Sequence, residues 1–298
     1  VVYTSPSEGL FLPPEKRDIG MVFQSYAIWP HMTVAKNVAY PLEIRKVNQS
    51  EIDDRVNEVL ALVGLTAETD KLATNLSGGQ QQRASLARAI VAKPRLLLFD
   101  EPLSNLDLKL REQMRVELKR IQNEVGITAI YVTHDQSEAL VMSDEIIVMS
   151  KGKIEQRGGP LEIYSRPVNE YVSNFIGVAN LLKAKVTTSN GSGQGTVEVT
   201  EDGQSMQVPC QIGPGIGEGD DAVLSLRPEN VHAVRESDST TSIEGEVTHA
   251  IFLGNYVDCR VKWGGFEWKV ISHPRARLKA GEKVFLKFDP EHTLAVQP

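Results

Sequence analysis

Four consecutive apolar residues, 96–99, are followed by the carboxylates Asp100 and Glu101, and this run restricts the possible folds more than any other feature. A strand that is apolar on both faces is typical of a parallel sheet covered by helices. Amphipathic helical patterns alternate with such apolar runs over residues 19–150. We therefore expect an α/β fold there, with a parallel sheet and helices on its faces.

Polar residues close two other apolar runs in the same way. The run at 19–23 is followed by Gln24, and the run at 127–132 is followed by Thr133 and His134. The carboxyl ends of parallel strands meet at one edge of a sheet, which is where ligands bind in open sheets of this kind. We therefore expect Gln24, His134 and the two carboxylates to project from one edge.

A glycine-containing turn at residues 76–80 (Leu-Ser-Gly-Gly-Gln) opens a helix. Ser77 is a suitable N-cap, and Gly78 and Gly79 let backbone amides approach a ligand closely. Amides and helix dipole together favour a phosphate at such a turn, although an ordinary helix start has the same sequence features. With two amphipathic patterns before it, this helix makes residues 25–92 a mostly helical segment.

The pattern changes after residue 178, where short runs with a period of two are separated by glycine turns. Alternation of this kind indicates strands with one solvated face, and frequent turns indicate a small β-barrel or sandwich. The runs are 197–199, 223–226, 257–263 and 284–288. We expect two domains, residues 1–177 and 178–298.

The composition is that of an ordinary globular protein. The 298 residues carry a formal net charge of -7, which gives no overall electrostatic attraction for nucleic acid. The two cysteines, Cys210 and Cys259, lie far apart in the sequence and form neither a metal-binding spacing nor a disulfide framework. No apolar run approaches the roughly 20 residues that a membrane-spanning helix needs.

Taken together, the motifs resemble those of ATP-binding cassette (ABC) ATPases. Five of them occur in the family's order: the Q-loop at Gln24, the signature at 76–80, the Walker B strand at 96–100 with Glu101, the D-loop at 104–107 and the switch histidine at His134. The resemblance implies a RecA-like ABC sheet with a helical subdomain at about residues 25–92.

The second half resembles the C-terminal regulatory domain of importer ATPases, which is OB-like and of the transport-associated type. The resemblance rests on residues 175–182 and on the Leu-Arg-Pro-Glu sequence at 226–229. ATPases for maltose-type sugars, polyamines, ferric iron and phosphonates have this domain. The Val-Ala-Asn sequence at 178–180 is more similar to polyamine and iron members than to sugar members.

The resemblance implies ATP and Mg²⁺ as the bound groups. Glu101 would polarise the attacking water, and His134 would contact the γ-phosphate as a donor. Asp100 would hold Mg²⁺ mainly through water, and Gln24 would complete the shell of the metal and the water. On the bare sequence, Glu101 could equally be a solvated acid at a strand end, and Gln24 could be an amide that caps a turn. A lone histidine such as His134 is more often an ordinary core or surface residue.

The resemblance also implies a head-to-tail dimer with ATP between two subunits. Residues that would act on ATP held by the second copy are Ser77, Gly78, Gly79, Gln80, Ser104 and Asp107. Transmembrane permease subunits would dock on an aromatic cluster of Tyr26, Ile28 and Trp29, although this cluster could instead be a local core. An external solute-binding protein would act indirectly, and no nucleic acid is expected. The subunit would lie peripherally at the cytoplasmic face of the cell membrane.

The Walker A loop of the family, G-x-x-x-x-G-K-[ST], is missing from the sequence. Gly152 and Lys153 form a Gly-Lys pair, but Ile154 follows them where the loop needs serine or threonine. The chain also starts at Val1, and residues 1–3 look like the end of a strand. Either the chain is N-terminally incomplete, which we favour, or it is a non-hydrolysing relative. Residues 1–298 alone are expected to bind ATP poorly, to hydrolyse none and to leave apolar sheet surface exposed.

Three functions follow from this reading. The first is the ATP-hydrolysing subunit of a solute importer, of the polyamine, iron or phosphonate-like group. The second is a regulatory or interaction module with an inert cassette, and the third is a soluble ABC ATPase of translation or repair. The third usually has two cassettes in one chain and lacks the C-terminal β domain. The sequence does not indicate the transported substrate.

Overall fold

The computed structural model describes residues 2–237 and 242–298. The chain divides into two compact units, Val1–Ser143 and Asp144–Pro298. The domain boundary after residue 177 stays a prediction. Val1, part of the predicted strand end at residues 1–3, lies outside the described residues, and Val2 and Tyr3 are not in a strand.

The first unit contains five strands and five α-helices among its described residues. The strands are β1 (Thr4–Ser5), β2 (Leu10–Phe11), β3 (Ile19–Val22), β4 (Leu96–Asp100) and β5 (Thr128–Val132). The helices are α1 (Val34–Ile44), α2 (Gln49–Leu62), α3 (Gly78–Ile90), α4 (Leu108–Val125) and α5 (Gln136–Met142). Short 3-10 helices span Pro6–Glu8, Pro14–Lys16, Thr66–Glu68 and Ala73–Asn75.

A three-stranded parallel sheet in the order β3-β4-β5 forms the centre of this unit. Val22 pairs with Phe99, and Asp100 pairs with Val132, so the three strands end near one another. The predicted parallel arrangement of the three strands is therefore confirmed.

The two faces of this sheet differ in burial. Leu97 and Phe99 are buried on one face, in the core shared with α1–α4. On the other face, Met21 is 36% exposed, Ile130 52% and Val132 55%. The sheet thus leaves an apolar face open to solvent, as expected from the sequence, and β4 is not fully buried on both faces.

Side chains cap the N-terminal ends of two helices in this unit. Thr33 caps α1, where its hydroxyl accepts from the backbone N–H of Lys36, and Asp107 caps α4, where its carboxylate accepts from that of Leu110. Gly126 ends α4 in the left-handed region at φ 68°, which glycine adopts without strain. These caps satisfy backbone groups that a helix leaves unpaired at its ends.

The prediction that the parallel sheet extends to residue 150 is wrong for its last strand. β6 (Ile146–Ser150) pairs antiparallel with β7 (Lys153–Gly158). Lys151 and Gly152 both have positive φ, 48° and 77°, which is the conformation of a two-residue type I′ hairpin turn. This turn joins β6 and β7 to each other, so β6 does not extend the parallel sheet.

The second unit continues with two short helices and ten further strands among its described residues. The helices are α6 (Pro160–Ser165) and α7 (Glu170–Phe175). The strands are β8 (Asn180–Ser189), β9 (Gln194–Glu201), β10 (Gln204–Ile212), β11 (Asp221–Leu226), β12 (Val231–Val234), β13 (Ile243–Phe252), β14 (Val257–Trp263), β15 (Phe266–Ser272), β16 (Lys283–Phe288) and β17 (Thr293–Val296). Short 3-10 helices span Pro228–Asn230 and Pro274–Ala276.

These strands form a closed barrel, β10-β17-β11-β8-β9, and a five-stranded antiparallel sheet, β12-β16-β13-β14-β15. Side chains of β14 alternate between buried and more exposed positions, as its period of two predicts. One apolar core joins both assemblies, with Trp268 fully buried and its ring stacked on Phe288 at 4.9 Å. The prediction of an OB-like β domain is confirmed.

Within residues 2–237 and 242–298, no helix has both the length and the apolar character needed to cross a membrane.

Candidate functional site

The ends of the three parallel strands bring the predicted catalytic residues to one edge of the sheet. Gln24 follows β3, Asp100 and Glu101 stand at the end of β4, and His134 follows β5. The backbone N–H of Glu101 donates to the carbonyl of Val132 at 2.9 Å, which ties the end of β4 to that of β5.

Glu101 and His134 are in direct contact. Nδ1 of His134 lies 3.0 Å from Oε1 of Glu101, and the side chains are 72% and 30% exposed, respectively. The hydrogen bond to Glu101 and the negative charge of that carboxylate raise the pKa of His134 above its ordinary value. Glu101 has φ 45°, in the left-handed region that costs a non-glycine residue about 1–2 kcal/mol. Strained backbone of this kind often occurs at functional sites.

Asp100 and Gln24 are the residues at this edge that could hold a magnesium ion. Asp100 and Gln24 are both exposed, and they offer one carboxylate and one amide oxygen. In the described part of the chain, no group of three or more His, Cys, Asp or Glu side chains could hold a metal. Mg²⁺ usually keeps several waters and binds through one or two carboxylates plus substrate phosphates, so this small set fits it.

The turn after β4 packs back onto both Glu101 and the segment after β3. The hydroxyl of Ser104 donates to the carbonyl of Glu101 at 2.9 Å. Nδ2 of Asn105 donates to the carbonyl of Gln24 at 2.9 Å. The predicted D-loop residue Asp107 follows and uses Oδ1 to cap α4. The predicted D-loop therefore contacts both the Q-loop and the Walker B end.

A network around Asp135 and Glu138 was not anticipated from the sequence. The carboxylate of Glu138 is buried, at 2% residue exposure, and accepts from the hydroxyls of Tyr131 at 3.0 Å and Thr133 at 2.9 Å. Arg111 reaches Asp135 from α4, with Nη1 and Oδ2 3.3 Å apart. Only the capping role of Asp135 had a sequence signal, because a helix pattern follows it.

The predicted signature begins α3 with a capping box. The hydroxyl of Ser77 accepts from the N–H of Gln80 at 3.4 Å, and Oε1 of Gln80 accepts from the N–H of Ser77 at 2.9 Å. Gly79, in the first turn of α3, packs closely on α4, because a Cβ there would lie 3.1 Å from Cδ1 of Leu110 and that side chain would have to shift slightly. The N-terminal end of α3 therefore presents its backbone amides beside the start of α4.

The predicted aromatic cluster is held by α3. Tyr26 and Ala27 have φ 61° and 48°. The guanidinium of Arg88 donates to the carbonyls of Ala27 at 2.6 Å and Tyr26 at 3.0 Å, and it lies over the ring of Trp29, 4.6 Å from the centroid. The hydroxyl of Ser85 adds a bond to the carbonyl of Tyr26 at 2.8 Å. Side chains of α3 thus fix Tyr26 and Ala27 in a backbone conformation that is unfavourable for residues other than glycine.

Trp29 also lines a cavity of about 320 Å³ in the first unit. Apolar side chains form part of its lining, including Met21 of β3 and Phe23 just after it, and Arg45 and Arg88 contribute polar groups. The ring of Trp29 contacts that of Tyr40 with the centroids 4.3 Å apart. Trp29 thus packs locally against Tyr40 and also borders a groove, and the docking of a permease subunit there stays a prediction.

The Leu-Arg-Pro-Glu sequence of the second unit has a structural explanation. Arg227 is buried and donates to the carbonyls of Ser173 at 3.0 Å and Tyr164 at 2.9 Å. Its guanidinium lies 4.3 Å from the centroid of the Tyr164 ring, whose hydroxyl donates to Glu229 at 2.5 Å. Burial and the bond to Glu229 raise the pKa of Tyr164 to about 12. These contacts fix α6 and α7 against β11.

Two family models match the chain. The ABC transporter family matches residues 10–104, and the TOBE domain family matches residues 224–296. The second match covers most of the strands from β11 to β17.

Two relatives are similar over nearly the whole chain. The spermidine/putrescine import ATP-binding protein PotA of Acetivibrio thermocellus is 40% identical over 297 residues, which cover 97% of this chain and 80% of the relative. The trehalose/maltose import ATP-binding protein MalK of Thermococcus litoralis is 42% identical over 290 residues, with coverages of 95% and 77%. A solved structure of cbiO1 from Clostridium perfringens, part of the ABC transporter complex cbiONQ, is 32% identical with a TM-score of 0.47 and covers 49% of this chain and 59% of its own.

Proposed function

Because this chain belongs to the family of ATP-binding proteins of ABC transporters, with a C-terminal TOBE domain, we propose that it is the ATP-hydrolysing subunit of a solute importer. The observation that carries the proposal is the contact between Glu101 and His134 at the shared edge of three parallel strands. The two relatives, both import ATP-binding proteins by name, support the direction of transport.

In this proposal, the residues at the sheet edge divide the work of hydrolysis. Glu101 accepts a hydrogen bond from the attacking water and orients it, and His134 donates to the γ-phosphate. Asp100 and Gln24 hold Mg²⁺, largely through water, and the metal neutralises phosphate charge when it is bound. The contact with Glu101 keeps His134 protonated to a higher pH, which favours its role as a donor.

The signature and the D-loop act on ATP held by a second copy of the chain. Ser77 and Gln80 use their side chains in the capping box, so we assign the phosphate contact chiefly to the backbone amides at Gly78 and Gly79. The D-loop residues that face the partner's site are Ser104 and Asp107. A two-fold head-to-tail dimer places each signature opposite the other subunit's catalytic edge.

The groove beside Trp29 receives a helix of a transmembrane permease subunit. Its apolar lining and its two arginines, Arg45 and Arg88, suit an amphipathic helix laid into a groove. Arg88 of α3 lines this groove and donates to the carbonyls of Tyr26 and Ala27, so it connects the groove to the helix that the signature begins. Docking in this way places the subunit peripherally on the cytoplasmic face of the membrane, and the external solute-binding protein acts only through the permease.

We place the transported solute in the polyamine, iron or phosphonate-like group. The Val-Ala-Asn sequence at 178–180 favours this group over sugars, and the PotA relative imports spermidine and putrescine by name. Specificity itself resides in the permease and in the binding protein.

The printed sequence contains no Gly-Lys-Ser or Gly-Lys-Thr, so the amides and lysine that hold the β- and γ-phosphates in this family are not supplied by residues 1–298. We therefore propose that these residues alone bind ATP weakly and hydrolyse none. Calorimetric titration of ATP into residues 1–298 tests this, and micromolar affinity would contradict it.

Hydrolysis by the protein expressed from its complete reading frame tests the proposed function. We expect Glu101→Gln to reduce kcat by at least a hundredfold, because the amide cannot accept the water proton. Glu112→Gln, which changes an exposed acid on α4, is the matched control and should hydrolyse ATP normally. Equal activity of both variants would contradict the assignment of Glu101. A wild-type protein without ATPase activity would favour the regulatory module.

A further inference from the structure

Arg111, in the first turn of α4, contacts two separate loops of the candidate site. Its Nη2 donates to the carbonyls of Ser104 at 3.3 Å and Leu106 at 3.2 Å. Its Nη1 donates to Oδ2 of Asp135 at 3.3 Å. A guanidinium has five donors in a fixed planar fork, so one side chain can bridge acceptors that lie on different segments.

The two carboxylate oxygens of Asp135 have different hydrogen-bond partners. Oδ1 accepts from the backbone N–H groups of Ser137 at 2.8 Å and Glu138 at 3.2 Å and so caps α5, which leaves Oδ2 for Arg111. Burial acts to raise the pKa of Asp135, but these N–H groups and the charges of Arg115 and Arg111 lower it on balance. Asp135 is therefore ionised when it meets the guanidinium.

The contacts of Arg111 close a ring around the candidate catalytic pair. The N–H and hydroxyl of Ser104 both donate to the carbonyl of Glu101, at 3.3 and 2.9 Å. Asp135 directly follows His134 in the chain. From Glu101 through Ser104, Arg111, Asp135 and His134, the ring returns to Glu101 by the 3.0 Å contact. The turn that follows Glu101 and the loop that carries His134 are thus joined at two points, through Arg111 and through the contact of Glu101 with His134.

We infer that Arg111 is a positioning residue that fixes the turn at residues 102–107 against the loop at 133–135 and so keeps Glu101 within hydrogen-bond distance of His134. A lysine at this position retains the charge but cannot reach both carbonyls and the carboxylate. The importance of this positioning for hydrolysis rests on the proposed function, whereas the positioning itself can be measured without ATP.

The test is an NMR titration of the His134 imidazole in residues 1–298, assigned with His134→Gln. We expect the pKa of His134 to lie above its ordinary value in the wild-type chain and to fall towards that value in Arg111→Lys, because the contact with Glu101 is less populated. Arg120→Lys is the matched control on the same helix, since Arg120 binds Glu117 and Glu124 and not these loops. It should leave the His134 titration unchanged.

A second variant, Arg111→Gln, separates positioning from direct charge effects. Loss of a nearby cation by itself raises the pKa of an imidazole, so a fall in this variant must come from weaker interaction of His134 with its neighbouring carboxylates, of which Glu101 contributes most and Asp135 and Glu138 less. If one variant fails to fold, the other decides. An unchanged or raised pKa of His134 in a folded Arg111 variant overturns the inference. A fall accompanied by normal hydrolysis in the complete protein would instead count against the proposed role of the pair.

Discussion

Nδ1 of His134 lies 3.0 Å from Oε1 of Glu101, although the two residues end different strands and are 33 positions apart in the numbering. The contact depends on the parallel pairing of β4 with β5 and on the bond from the N–H of Glu101 to the carbonyl of Val132. In the proposed function, this contact places the general base Glu101 beside His134, the hydrogen-bond donor to the γ-phosphate, which reduces the reorganisation that catalysis requires.

The free energy of unfolding should depend on pH through this contact. The pKa of His134 is raised in the folded chain, so its stabilising contribution is fully present below the ordinary histidine pKa of about 6.5 and is lost as pH rises through the raised value. We expect His134→Gln to lower the urea-unfolding free energy at about pH 6 and to have little effect at about pH 9.

The exposed His31 supplies the matched control for that comparison, and His31→Gln should not show the same trend. A difference in unfolding free energy between wild type and His134→Gln that is the same at about pH 6 and about pH 9 would contradict the contact.

Glu138 should be important for the stability of the first unit. Its buried carboxylate accepts from the hydroxyls of Tyr131 and Thr133, so Glu138→Ala leaves two donors without acceptors. We expect a loss of about 2–4 kcal/mol in urea unfolding. Glu138→Gln retains an acceptor oxygen and should cost clearly less. Equal losses in the two variants would show that packing volume, and not the hydrogen bonds, determines the effect.

Trp29 should be required for assembly with the permease. Its ring borders the groove and packs between Tyr40 and Arg88, so Trp29→Ala removes groove surface while α3 stays capped. We expect the variant of the complete protein to lose most co-purification with the transmembrane subunits. Val116→Ala, at an exposed position of α4, should co-purify normally. Normal co-purification of Trp29→Ala would show that the permease docks on another part of the surface.

Much of this architecture could be predicted because it rests on local patterns. The period of the apolar residues indicated α1 to α4, and a short polar residue before a helix indicated the cap at Ser77. The polar endings of apolar runs indicated which side chains share a sheet edge. Each of these signals comes from residues close together in the chain.

The remaining features depend on contacts that leave no local trace. Arg111 meets Asp135 across 24 residues, and Arg88 meets Ala27 across 61, and nothing in the sequence distinguishes these arginines from exposed ones. The hairpin of β6 with β7 was missed because an apolar run at the end of an alternating pattern is compatible with either pairing partner.

The most direct test of the account is the mass of the complete protein carrying Glu101→Gln in the presence of Mg²⁺ and ATP, measured by light scattering after gel filtration. We predict an ATP-dependent doubling of mass, because hydrolysis is blocked and each signature remains on the other subunit's ATP. Adding Gly79→Arg should abolish the dimer, because it places a bulky side chain at the start of α3, where Gly79 packs against Leu110 of α4. A Glu101→Gln protein that binds ATP and stays monomeric would contradict the account.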